Sequence, residues 1–215
     1  MSLQEEVLDT NVQVKTSFQE LNFPISFEFK IGTLANDFIA KDSSGQTIAY
    51  VRQKMFKLKE AITVYSSQAK TNELYKINAD RVIDFNANYA FTNIDGETLG
   101  KVGRKGMKSL WKANYQILDN ANTTLYEIKE ENPWAKVMDA LFSEIPLLGM
   151  FTGYFFNPKY LVSTPEGTPV ARLSKEASFW GRKFKLEKLE EIESEKGESV
   201  MLALMMMVLL ERRRG

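Results

Sequence analysis

An eleven-residue run near the C-terminus, Val200 to Leu210, reads VMLALMMMVLL and holds no polar side chain. A helix built from it has no polar face, so every side of it needs cover. Ala, Leu and Met are strong helix formers, and few residues of the run are β-branched. Ser199 stands where an N-cap would stand, and Arg212, Arg213 and Arg214 follow where cations suit the negative end of the helix dipole. Two readings compete: an anchor for a membrane or partner, or a helix enclosed by its own protein. Eleven residues at ~1.5 Å rise cover about 16 Å, well short of a ~30 Å hydrocarbon layer. Length therefore favours the enclosed helix, predicted over 199–211. Burying its Leu and Met side chains contributes about 15–25 kcal/mol before entropy is subtracted. The rest of the chain is then expected to be a container for this segment.

The remainder repeats itself. Phe38 to Val51, Tyr89 to Val102 and Tyr160 to Leu173 align on Gly45, Gly96 and Gly167. Each copy has an aromatic residue seven before the glycine, an aliphatic one three after, a small one four after and Val or Leu six after. The pattern predicts a hairpin whose turn needs the positive φ that glycine supplies. The first two copies are followed by a second hairpin, Ile62–Tyr65 with Leu74–Ile77 and Tyr115–Leu118 with Leu125–Ile128. The third is followed by strand-like Phe184–Leu186, an acidic linker and the apolar run. Before the first copy, Ile25, Phe27, Phe29 and Ile31 alternate with polar residues as in a half-buried strand. Many short antiparallel strands in series make a sandwich or a closed barrel, and an apolar helix to enclose favours the barrel. The predicted class is mainly β (α+β), a closed antiparallel β-barrel around a central C-terminal helix.

Residues 1–22 are read as an N-terminal extension, a short helix or a loose segment, and 23–215 as a single domain. Within it, 133–158 breaks the strand pattern. Trp134, Val137, Met138, Leu141 and Phe142 have helical spacing, and an apolar stretch interrupted by Pro146, Gly149 and Gly153 follows.

Composition removes several chemistries. The chain has neither Cys nor His, so disulfides, thiolate metal sites and the usual general base are absent. Basic and acidic residues balance at 28 each, giving no net field for nucleic acid. The first ten residues have neither the basic nor the apolar region of a secretory signal. The expectation is a cytoplasmic protein, free or peripheral to a membrane, that is not an enzyme and uses no metal or cofactor.

The repeated hairpins, Val51–Leu58 after the first copy and the all-apolar C-terminal helix resemble the tubby C-terminal-like superfamily. They are most similar to its LURP-one-related and phospholipid-scramblase-like branch. Leu148–Phe156 is similar to the same place in bacterial members. The resemblance covers residues 23–211 and implies a barrel of about twelve strands wrapped around the helix. Tubby members bind phosphoinositide headgroups and scramblase members are associated with calcium-dependent lipid movement, so the resemblance implies a lipid-associated role. The acidic stretch Glu190–Glu198 lacks the spaced oxygens of a calcium loop.

Two candidate surfaces emerge. Lys101, Arg104, Lys105, Lys108 and Lys112, interleaved with Gly103 and Gly106 and next to Trp111, form a basic loop suited to an anion or lipid headgroup. Leu147, Met150, Phe151, Tyr154 and Phe155 form a candidate apolar contact surface. The expected partner is an anionic phospholipid or membrane surface, with a protein partner as the alternative and an enzyme pocket at the barrel mouth as a third reading. Arg52, Lys54, Lys57 and Lys59 sit at the equivalent place in the first repeat. Arg182, Lys183, Lys185 and Lys188 are expected to pair with the acidic stretch beside them.

Overall fold

The computed structural model describes residues 20–30, 36–53, 61–79, 88–104, 114–131, 158–176 and 183–212. Twelve strands close into one antiparallel barrel. In chain order they are β1 (Ile25–Phe29), β2 (Asn36–Lys41), β3 (Thr47–Gln53), β4 (Ala61–Tyr65), β5 (Glu73–Ala79) and β6 (Asn88–Asn93). There follow β7 (Thr98–Arg104), β8 (Asn114–Leu118), β9 (Thr124–Glu130), β10 (Lys159–Ser163), β11 (Pro169–Glu176) and β12 (Lys183–Lys188). Each strand from β2 to β12 pairs with its neighbours in sequence, and β1 closes the ring by pairing with both β2 and β12. The helix α1 runs from Ser194 to Arg212.

The repeat seen in the sequence is a repeated turn. In the β2–β3 hairpin, Asp42 N–H donates to Gln46 O and Gly45 N–H to Asp42 O, both at 3.0 Å. The same pair of bonds joins Asn93 with Glu97 and Gly96, and Thr164 with Thr168 and Gly167. Gly45, Gly96 and Gly167 hold φ of 85°, 83° and 99°, the left-handed region that glycine enters at least cost. The β8–β9 turn has the same hydrogen bonds with Asn122 at φ 68° in the glycine's place, and the longer β4–β5 turn puts Lys70 there at φ 59°. In all five hairpins the register slips by one residue beside the turn, a β-bulge. The barrel thus reads as three four-strand units: β2–β5, β6–β9, and β10–β12 completed by β1 from the other end of the chain.

Alternate residues of every strand face inward, and these meet α1 in one continuous apolar cluster. Ile25 and Phe27 of β1, Phe91 of β6, Ile128 of β9, Leu173 of β11 and Phe184 of β12 are fully buried in it. Every residue from Val200 to Leu209 is at most 7% exposed, whichever way it points around the helix axis. A helix covered on all sides inside a closed ring lies in its lumen, as the polarity of its sequence requires. Outward positions carry Glu28, Lys41, Lys76, Lys129, Lys185 and Glu187. This is the reverse of a membrane-spanning barrel, whose outer band is apolar.

One boundary differs from the sequence expectation. Ser199 is not an N-cap; α1 begins five residues earlier, with Lys196 and Gly197 N–H donating to Glu193 O at 3.0 Å. The linker 194–198 is the first turn of the helix, where Glu side chains suit the positive end of the dipole. Ser199 is buried one turn further in, and its Oγ donates to Leu99 O on the wall at 3.1 Å.

Candidate functional site

Met205, Met206 and Met207 fill the lumen along α1 among the described residues, each at 2% exposure or less. An adaptable, unbranched side chain suits the irregular gap between a cylinder and a ring of alternating residues.

The rims differ. The turns 42–46, 66–72, 93–97, 119–123 and 164–168 all lie at one end of the barrel, and the link 189–193 enters α1 at the same end. Together these segments hold Asp42, Asp95, Glu97, Asp119, Glu166, Glu190, Glu191 and Glu193 against the single Lys70. Lys188 pairs with Glu191 and Lys196 with Glu193, each at 2.7 Å. The other six carboxylates have no ion-pair partner among the described residues. Hydrogen bonds from Ser44, Asn22 and the Gln46 amide hold the Asp42 carboxyl below its ordinary range, although burial acts the other way. The helix entrance at this rim is closed by Tyr75, whose phenol is raised well above its usual value by burial and by the Glu198 carboxylate it donates to.

The six connections 31–35, 54–60, 80–87, 105–113, 132–157 and 177–182 join strand ends at the opposite rim. All three tryptophans of the chain, Trp111, Trp134 and Trp180, fall in these connections, as do Lys54, Lys57, Lys59, Lys105, Lys108 and Lys112. Lys105, Lys108 and Lys112, and the whole apolar group Leu147, Met150, Phe151, Tyr154 and Phe155, lie outside the described residues. So do the helix and loop expected at 133–158, apart from Pro158, and the extension expected at 1–22, apart from its last three residues. Arg104 is the last residue of β7, opposite Tyr115. Lys101 sits three residues back on the same strand, opposite Ala90 and Leu118, half-exposed on the outer wall. The described strand ends that flank these connections fall at one rim, and Lys101 lies on the side wall.

The third basic cluster pairs, but mostly not with the acidic stretch. Lys183 bridges Glu28 on β1 at 3.5 Å and Glu176 on β11 at 3.7 Å, and Lys185 pairs with Glu187 at 2.9 Å. Only Lys188 reaches the stretch, through Glu191. Cross-strand neighbours are nearer than residues further along the chain, which sequence order alone does not reveal. Asp37 also has a structural role: it is 3% exposed and accepts the Tyr50 hydroxyl at 2.6 Å, while burial and that bond push the phenol up to about 12.

Two hollows lie on the outside of the barrel. One, of about 450 Å³, is lined by Phe23 and residues 188–191 at the turn rim. The other, of about 350 Å³, is a furrow on the side wall across β6, β7 and the β8–β9 turn. It is lined by Asn88, Ala90, Thr98, Lys101, Asp119 and Asn120, with Gly100 in its floor. Nothing in the sequence marks these residues as neighbours. No group of three or more His, Cys, Asp or Glu among the described residues could hold a metal ion. Among the same residues, no helix is long and apolar enough to cross a membrane.

A closed antiparallel barrel built from repeated bulged hairpins, with its own C-terminal helix as the core, defines the class of protein: a tubby-like barrel. The model of the LURP-one-related family matches residues 47–211, and the chain belongs to that family. No curated protein and no solved structure matches it.

Proposed function

We propose that this barrel is a non-enzymatic module that docks on anionic phospholipid surfaces, headgroups first, through the rim that carries the long connections. The observation that carries the reading is the polarity of the barrel axis: tight, carboxylate-rich turns at one rim, and at the other the connections that hold Lys105, Lys108, Lys112 and all three tryptophans. A negative surface attracts the lysines by roughly 1 kcal/mol each near the membrane and repels the opposite rim, so the molecule is oriented as it approaches. Tryptophan suits the headgroup level, where one edge of the ring is apolar and the other wet. Leu147, Met150, Phe151, Tyr154 and Phe155 belong by sequence to the connection between β9 and β10, whose described strand ends lie at that rim. The family membership supports a lipid-associated role and adds no residue assignment.

Vesicle sedimentation tests it. The expected outcome is binding to vesicles containing phosphatidylserine and little to phosphatidylcholine alone, with loss as salt screens the attraction. Reversing Lys105, Lys108 and Lys112 to Glu should weaken binding at least tenfold, about 1.4 kcal/mol, without moving the unfolding midpoint. Equal, negligible sedimentation with both vesicle types defeats the proposal. Capture of a protein through the 144–158 stretch, with no lipid binding, would favour an interaction scaffold instead.

A further inference from the structure

The side-wall furrow has a charge pattern of its own. Lys101 and Asp119 both line it, yet among the described residues they form no ion pair with each other or with any other group. One Asp119 oxygen, Oδ1, accepts the Thr123 N–H at 2.8 Å, and its Oδ2 makes no hydrogen bond. Asn120 Nδ2 donates to Thr98 O at 2.6 Å, which leaves Asn120 Oδ1 as an acceptor beside Asp119. Ala90 adds little bulk at the furrow, and Gly100 can bear no side chain, since a Cβ there would meet Leu118 O at 2.7 Å. At about 350 Å³ it falls in the size range of small-molecule sites.

From this arrangement we propose that the furrow binds a small ammonium zwitterion, with the anionic group on Lys101 and the ammonium on Asp119 and Asn120. A plain anion would meet Lys101 but be repelled by Asp119, and a plain cation would meet the reverse. A ligand bearing both charges satisfies the two ends together, and Thr98 also lines the furrow. Ethanolamine phosphodiester has this chemistry, whether free in solution or as a lipid headgroup. The furrow runs along the side wall to the turn rim, which is not the rim proposed for membrane docking, so the proposal does not rest on that docking.

The test uses the full chain and glycerophosphoethanolamine, followed by amide NMR. Saturable shifts are expected at Thr98, Lys101 and Asn120. Lys101→Gln and Asp119→Asn should each weaken binding about tenfold. Asn at 119 keeps the Oδ1 acceptor for Thr123, so the turn should survive. Phosphate alone and ethanolamine alone should each bind at least tenfold more weakly than the joined molecule. Vesicles of phosphatidylethanolamine that compete with the probe would identify a lipid source, and vesicles that do not would identify a soluble one. Rim docking, if it fails, fails on phosphatidylserine vesicles and leaves these shifts unchanged. The proposal is overturned by absent shifts, by phosphate or ethanolamine binding as tightly as the joined molecule, or by either variant binding unchanged.

Discussion

Two glycines separate local conformation from tertiary contact. Gly96 needs its positive φ of 83° for a turn, but open space surrounds it. Gly100 has φ 147° and in addition lies against Leu118 O and the buried Ser199 Oγ, where wall and helix touch. Gly96→Ala should therefore cost about 1 kcal/mol, the ordinary penalty of a left-handed residue. Gly100→Ala should cost about 2–4 kcal/mol, because the backbone of β8 must also move. Chemical denaturation of both variants checks this, and equal losses would remove the special role of Gly100. The turn glycines were legible in the sequence as aligned positions. The crowding at Gly100 was not, because its partners lie 18 and 99 residues further along the chain.

Among the elements, α1 holds the greatest share of the core. Leu204 is fully buried at its middle. Leu204→Ala is expected to lower stability by about 3–5 kcal/mol, since a closed ring of strands cannot collapse into the space left. Met206→Leu, nearly isosteric, should cost less than about 1.5 kcal/mol. Urea midpoints decide between them, and a mild Leu204→Ala would mean the lumen is loosely packed. The central, apolar character of this helix could be read from composition alone. Its start could not, because Ser-Glu-Lys-Gly-Glu looks like a linker until Glu193 O is seen accepting the first helical N–H groups. The strands were legible through alternation and the turns through glycine and Asp or Asn. The furrow was not, because it draws on two strands and a turn that local periodicity treats as separate.

For the whole molecule, the decisive contact is the β1–β12 pairing, the only place where the ring is closed by strands from opposite ends of the chain. Glu28 stitches it, with Lys41 of β2 at 2.9 Å and Lys183 of β12 at 3.5 Å. The Lys41 hydrogen bond, together with the charges of Lys41 and Lys183, holds the Glu28 carboxyl below its usual 4.5 despite some burial. The charged form is thus favoured in the folded state. Its stabilising effect is complete above the ordinary value and is lost as pH falls through the lowered one. Glu28→Gln should cost less than about 1 kcal/mol at neutral pH, because the pairs are partly exposed. The difference from the parent should vanish in strong acid. Denaturant midpoints across that range test it, and a pH-independent difference would show that Glu28 acts through packing instead. The rim polarity behind the membrane reading also belongs to this scale, since only closure of the barrel brings the strand ends that flank six separate connections to one end.

By itself the sequence determined the parts: a helix that must be hidden, hairpins with a fixed turn chemistry, and a repeat that calls for a ring. These follow from interactions within a few residues, where composition, period and allowed φ are enough. The tertiary structure alone decided which strand closes the ring, where the helix begins, which lysines find partners, and that Lys101 faces a furrow with Asp119. Those outcomes depend on distances between residues far apart in the chain, and such distances exist only once the barrel has formed.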